Sequence, residues 1–216
     1  MEKREFRELV REVLKTKLFL CAVIMATVGF LLNLISSILS VPQSFNIGGT
    51  IIGIVFGNGF TLFLVILPLF EILKSKDSMN FGNDCDFGLK YIRISTIITI
   101  VFSAILTVLA LFTIAVSGLE AVVSLVLSIA LLVHSVFQLE IINNLRNGMF
   151  YNIEKISYVV PYILLTVFLF ITSVISAVQG GNVLMVMTEV SNNIARIIIS
   201  VLLINVNNNW KKEKIA

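Results

Sequence analysis

Charge is what this sequence has least of. Only 13% of its 216 residues are Asp, Glu, Lys or Arg, against 57% hydrophobic, where a soluble domain carries about a quarter charged residues. So few charges cannot solvate a protein surface, which excludes a water-soluble fold. Histidine occurs once and cysteine twice. A zinc site of paired Cys or His therefore has no ligand set, and a hydrolytic nucleophile has one histidine to serve it. No H-E-x-x-H, G-x-S-x-G or Walker A signature is present. Neither catalysis nor a cofactor or metal is expected, and ATP hydrolysis by this chain has no domain to house it.

Long apolar runs fill the space that charge leaves. With a mean hydropathy of +1.00, the chain contains six stretches of the length that crosses a bilayer, roughly 20 residues each. They cover about 17–40, 50–73, 94–117, 121–142, 157–178 and 184–206. The fold class is an all-α integral membrane protein whose six transmembrane helices form three helical hairpins. The hairpin junctions echo one another, "FEIL" at 70–73 with "LEII" at 139–142 and "IRIS" at 92–95 with "EKIS" at 154–157, which is consistent with an ancestral triplication.

Basic residues give the orientation, because cytoplasmic loops beside membrane spans are enriched in Lys and Arg. Of the sixteen, fifteen fall before span one, between spans two and three, between spans four and five, or after span six, and the sixteenth is Arg196 inside span six. The connections "VPQSFNIGGT", "SGLE" and "AVQGGN" hold none. A multi-pass protein of the cell membrane with both termini cytoplasmic is expected. The same distribution explains a pI near 8.9 through topology and anionic headgroups, so the lipid bilayer is the expected partner and nucleic acid is not.

Residues 1–16 form the first of three segments, followed by one transmembrane domain at 17–206 and a basic tail at 207–216. In the first, Phe6, Leu9, Val10, Val13 and Leu14 recur at helical spacing, which predicts an amphipathic helix lying on the inner headgroup surface. Span one is too long for the apolar region of a signal peptide, about 7–15 residues, so the N-terminus is expected to be retained. The connection "KSKDSMNFGNDCDFGLKY" contains turn formers in "NFGND", and Asp84, Cys85 and Asp86 are read as a solvated acidic turn.

Polar side chains interrupt the apolar runs at few places. In span two Gly49, Gly53 and Gly57 recur every fourth residue, a smooth groove of the kind that lets membrane helices approach closely. It predicts packing against another span or a second subunit. Asn33 and Asn58 interrupt spans one and two at a similar depth, toward the outer side. In span six, Glu189, Asn192, Asn193 and Arg196 share about 100° of a helical wheel, opposite Val190, Ile194, Ile197 and Ile198. A charge at mid-span costs at least ~2.5–3.5 kcal/mol, so Arg196 needs a partner. The expected ones are Glu189 through Asn192, Glu120, or carbonyls of the glycine-rich helix. His134 is read as hydrogen-bonded between helices, and Pro68 and Pro161 as kinks or helix starts.

A helix at the inner surface followed by six spans resembles, in topology, the permease subunits of ATP-driven exporters, although no coupling loop is recognisable. That resemblance implies transport with an ATPase partner and a polar site in the outer half of the bundle. The competing expectation is a non-catalytic assembly, sensor or immunity-type membrane protein whose polar face only packs helices.

Overall fold

A computed structural model describes residues 3–43, 47–117, 119–151, 155–180 and 183–213, and these contain no strand. The elements are α1 (Lys3–Lys15), α2 (Lys17–Ser40), a 3-10 turn (Val41–Gln43), α3 (Ile47–Thr61), a π-helical turn (Leu62–Ile66), α4 (Leu67–Ser75), α5 (Phe81–Ser117), α6 (Leu119–Phe150), α7 (Val159–Gln179) and α8 (Val183–Glu213). Six helical spans are long and apolar enough to cross a membrane: Lys17–Ser40, Ile47–Ser75, Phe81–Thr113, Val122–Phe150, Val159–Gln179 and Val183–Asn209. Helices suit the bilayer because each satisfies its own backbone donors and acceptors.

Local chemistry sets the breaks. Thr16 is extended and its hydroxyl accepts the Phe19 N–H at 3.4 Å, capping α2. In the second span, Pro68 cannot donate to the preceding turn and its ring crowds the carbonyl four residues back. The helix widens just before it, with the Leu67 N–H reaching the Leu62 carbonyl, and α3 and α4 thereby form one continuous span. Pro161 lies in the first turn of α7, where its missing N–H would have had no partner.

The spans pack as a ring rather than as three equal hairpins. α5 lies along α6, α7 along α8, α6 along α7 and α4 along α5, while α2 packs chiefly on α8 and only lightly on α3. Span one thus packs far more closely on span six than on span two. On α5, the buried residues Thr96, Ser103 and Ala110 recur every seventh residue, as Ser128, Ser135 and Ile142 do on α6. Small side chains at that period allow two helices to run together over several turns.

The apolar core is concentrated at the basic end of the bundle, and α1 completes it. Phe6, Leu9, Val10 and Leu14 are buried within the same cluster as Leu69, Phe81, Ile142, Met149 and Val206. The stripe expected to face lipid is therefore covered by protein, because α5 and α6 carry glycines where α1 meets them. A Cβ at Gly82 would lie 2.7 Å from the Arg7 guanidinium carbon, and one at Gly148 would collide with the Phe6 ring. Arg7 Nε donates to the Met149 carbonyl at 2.6 Å, and Arg11 donates to the carbonyls of Lys76 (2.6 Å) and Ser78 (3.0 Å). Bonds to a charged group contribute roughly 1.5–3 kcal/mol each, so α1 ties both basic-side connections to the core.

The acidic turn also differs from expectation. α5 begins at Phe81, making Asp84, Cys85 and Asp86 helical, with Cys85 buried in the core. Asp84 accepts the Ser78 hydroxyl. Asp86 takes Arg146 of α6 through two bonds of 2.6 and 3.3 Å. Burying Phe81 and Cys85 overrides the turn-forming tendency of "NFGND", which is a tertiary effect on a weak local preference.

The opposite end of the bundle carries less of this core. On α3 the side chains of Ile51, Ile52, Val55, Phe56 and Phe60 are exposed. A Cβ at Gly53 or Gly57 would meet nothing within 4 Å. At these two positions the stripe faces outward and packs on no other span of this chain.

Candidate functional site

Arg196 stands thirteen residues from each end of the span Val183–Asn209, about 20 Å along the axis in either direction. The helix that carries it is wedged between α2 and α7. Its buried positions Thr188, Ser191, Ala195, Leu202 and Val206 recur at three-, four- and seven-residue intervals and form its apolar and small-residue seam.

Asn192 joins α8 to α2. A Cβ at Gly29 would come within 2.7 Å of the Asn192 side-chain carbon and 3.3 Å of its backbone nitrogen. The carboxamide occupies the volume that a side chain at 29 would need. The two helices run antiparallel, so this contact puts Asn33, one turn outward on α2, level with Glu189. Asn33 Nδ2 donates to Asn58 Oδ1 at 3.3 Å, and Asn58 Nδ2 to the Ile54 carbonyl at 3.0 Å. Asn58 is 8% exposed although its helix is otherwise largely outward-facing, which places the asparagine pair on the inward side of α3.

Asn193 is 2% exposed. Its amide donates to the Glu189 carbonyl at 2.8 Å and to Glu189 Oε2 at 3.3 Å, and its own Oδ1 is without a hydrogen-bond partner. This corrects the expected Glu189–Arg196 pairing. The carboxylate is held one turn away, by a residue whose i+4 spacing suits it better than a cation two turns on. Asn192, the expected bridge, is turned to Gly29 instead.

Arg196 is exposed, and among the described residues it makes no ion pair or hydrogen bond through its side chain. The side chain of Glu120 lies outside the described residues. The guanidinium is nevertheless close enough for its charge to act on His134 of α6 and Tyr162 of α7.

The groups it approaches bond to one another. His134 is 2% exposed, stacks on Tyr162 at 4.4 Å between centroids, and bonds through Nε2 to Thr166 Oγ1 at 3.0 Å. The Thr166 hydroxyl proton goes to the Tyr162 carbonyl at 2.8 Å. Its oxygen is thus the acceptor, which places a proton on His134 Nε2. The interhelical hydrogen bond expected of this histidine joins α6 to α7.

Of the six polar residues expected to form one site, the fold makes two local pairs, Asn33–Asn58 and Glu189–Asn193. It sets Asn192 against α2 and leaves Arg196 exposed, within electrostatic range of His134 and Tyr162. Sequence reasoning missed Gly29, Tyr162 and Thr166. Gly29 is the single glycine of its span, a signal that carries no period, and Tyr162 and Thr166 are found only from their i, i+4 spacing on α7. A further interhelical clamp was missed as well: Asn207 accepts the Ile156 N–H and donates to the Ile156 carbonyl, both at 2.9 Å. Compared with family models, curated proteins and solved structures, the chain matches none.

Proposed function

We propose that this polytopic membrane protein is a small permease-like or transporter-associated subunit, with a water-accessible polar site formed by α8 in the outer half of the bundle. One observation carries the reading: Arg196, at the centre of a span, is exposed and has no acidic partner among the described residues. Ionisable groups at this depth face a bundle interior or a watery cavity and mark ligand pathways. The apolar core at the basic end closes that side, so water would enter from the opposite end. Residence in the cell membrane with both termini cytoplasmic follows from the basic residues, and the outward face of Gly53 and Gly57 is where another membrane subunit would pack.

Single cysteines at positions 189, 192 and 196, in a protein lacking Cys21 and Cys85, test it. Labelling by a polar thiol reagent added from outside is expected at all three positions. Uniform resistance would favour the second reading, a non-catalytic membrane protein whose polar face holds helices together. Three contacts speak for that reading: Asn33 with Asn58, Asn193 with Glu189, and Asn192 with Gly29.

A further inference from the structure

Three features of Arg196 point to the chemistry of what it binds. The first is depth: at about 20 Å from either end of its span, it lies beyond the reach of lipid headgroups, since half the hydrocarbon core is about 15 Å. The second is the lack of a counter-charge among the described residues. Glu189 is held by Asn193, and the other carboxylates on the spans, Glu71, Asp84, Asp86 and Glu140, lie toward the basic end. The third is its surroundings, where His134, Tyr162 and Thr166 already satisfy one another and add no negative charge. A guanidinium in such a place is a fixed positive charge with donors to spare, and its planar fork matches an oxyanion in two parallel bonds.

We propose that Arg196 is the anchoring cation of a binding site for a small water-borne oxyanion, of the carboxylate, sulfonate or phosphate class. The assignment rests on the reading that water reaches α8 from the outer side, and goes beyond it in naming the charge and geometry of the ligand. Asn192, one turn away on the same helix and half-buried beside Gly29 of α2, is the nearest polar position at which a thiol can report on the site. The stacked pair of His134 and Tyr162 gives shape without adding negative charge.

The test uses full-length protein in membranes, with Cys21→Ala, Cys85→Ala and Asn192→Cys. The rate of modification by a sulfonate-bearing methanethiosulfonate is divided by that of a trimethylammonium-bearing one, relative to the same ratio for 2-mercaptoethanol. The expected ratio is at least about tenfold above the free-thiol value, given the strength of an unscreened charge at this range. It should be kept in Arg196→Lys and lost in Arg196→Gln. Methanesulfonate, which cannot react, should slow the sulfonate reagent, whereas tetramethylammonium should not; this arm needs no change at 196. If both reagents label the thiol introduced by Asn192→Cys at the free-thiol ratio and methanesulfonate does not protect, the oxyanion site is refuted while water access stands. If neither reagent labels it, access itself is refuted and the site with it.

Discussion

Asn192 of α8 fills the place that a side chain on Gly29 of α2 would take, with the Asn192 side-chain carbon 2.7 Å and its backbone nitrogen 3.3 Å from where a Cβ would stand. The closest helix pairing between the first span and the last thus turns on one absent side chain. Through it, Asn33 and Asn58 come level with Glu189, and Arg196 is set about two turns further along α8.

Gly29→Ala should therefore separate α2 from α8. The carboxamide can rotate away, but the Asn192 backbone nitrogen cannot, and overpacking of this kind costs about 1–3 kcal/mol. A lowered thermal midpoint in detergent is expected, with partial recovery in Gly29→Ala/Asn192→Ala. A Gly29→Ala protein as stable as the parent would disprove the close approach.

Gly57→Ala should behave in the opposite way. Nothing lies within 4 Å of a Cβ there, and alanine is the better helix former by up to about 1 kcal/mol. Unchanged or slightly raised thermal stability is expected. A marked loss of stability would mean that the groove is filled, and a shift to smaller particles on size exclusion would identify the filler as a second copy.

These two glycines show what sequence could and could not convey. Six spans and the basic end were legible because bilayer thickness and loop charge write directly into composition. Which face of each helix meets another was not, since lipid is as apolar as a protein interior and both faces read as Leu, Ile and Val. The regular Gly53–Gly57 stripe has the pattern of an interface and faces outward, whereas the isolated Gly29, Gly82 and Gly148 are where helices touch. The polar face of α8 was legible from its wheel. The fate of its charges was not, because Asn193 competes for Glu189 through a local i+4 bond that leaves Arg196 without that partner. In α1 the apolar stripe was plain, but only the glycines of α5 and α6 reveal that protein covers it.

Phe6→Ala should undock α1. The ring is 2% exposed and seated against Gly148, and truncating a buried Phe costs about 3–5 kcal/mol. The expected outcome is rapid tryptic cleavage at Arg7, Arg11 and Lys15 in membranes opened on the basic side, under conditions where the parent is cut slowly. Equal cleavage rates would show that α1 lies on the membrane surface after all.

Asn207 offers the sharpest separation of donor from acceptor. Its side chain closes a two-bond ring with the backbone of Ile156, accepting from the N–H and donating to the carbonyl at 2.9 Å each, and so pins the segment before α7 to α8. Ile156 is itself buried, and a backbone group left without a partner costs about 1–3 kcal/mol. Asn207→Leu forfeits both bonds and should lower the unfolding free energy by about 2 kcal/mol or more. Asn207→Asp keeps the acceptor, loses the donor and sets a carboxylate against the Ile156 carbonyl, so it too should destabilise. Asn207→Gln retains both groups on a longer arm and should lose least. Thermal denaturation in one detergent checks the order. A leucine variant equal to the parent would mean that the clamp does not hold α7 in place.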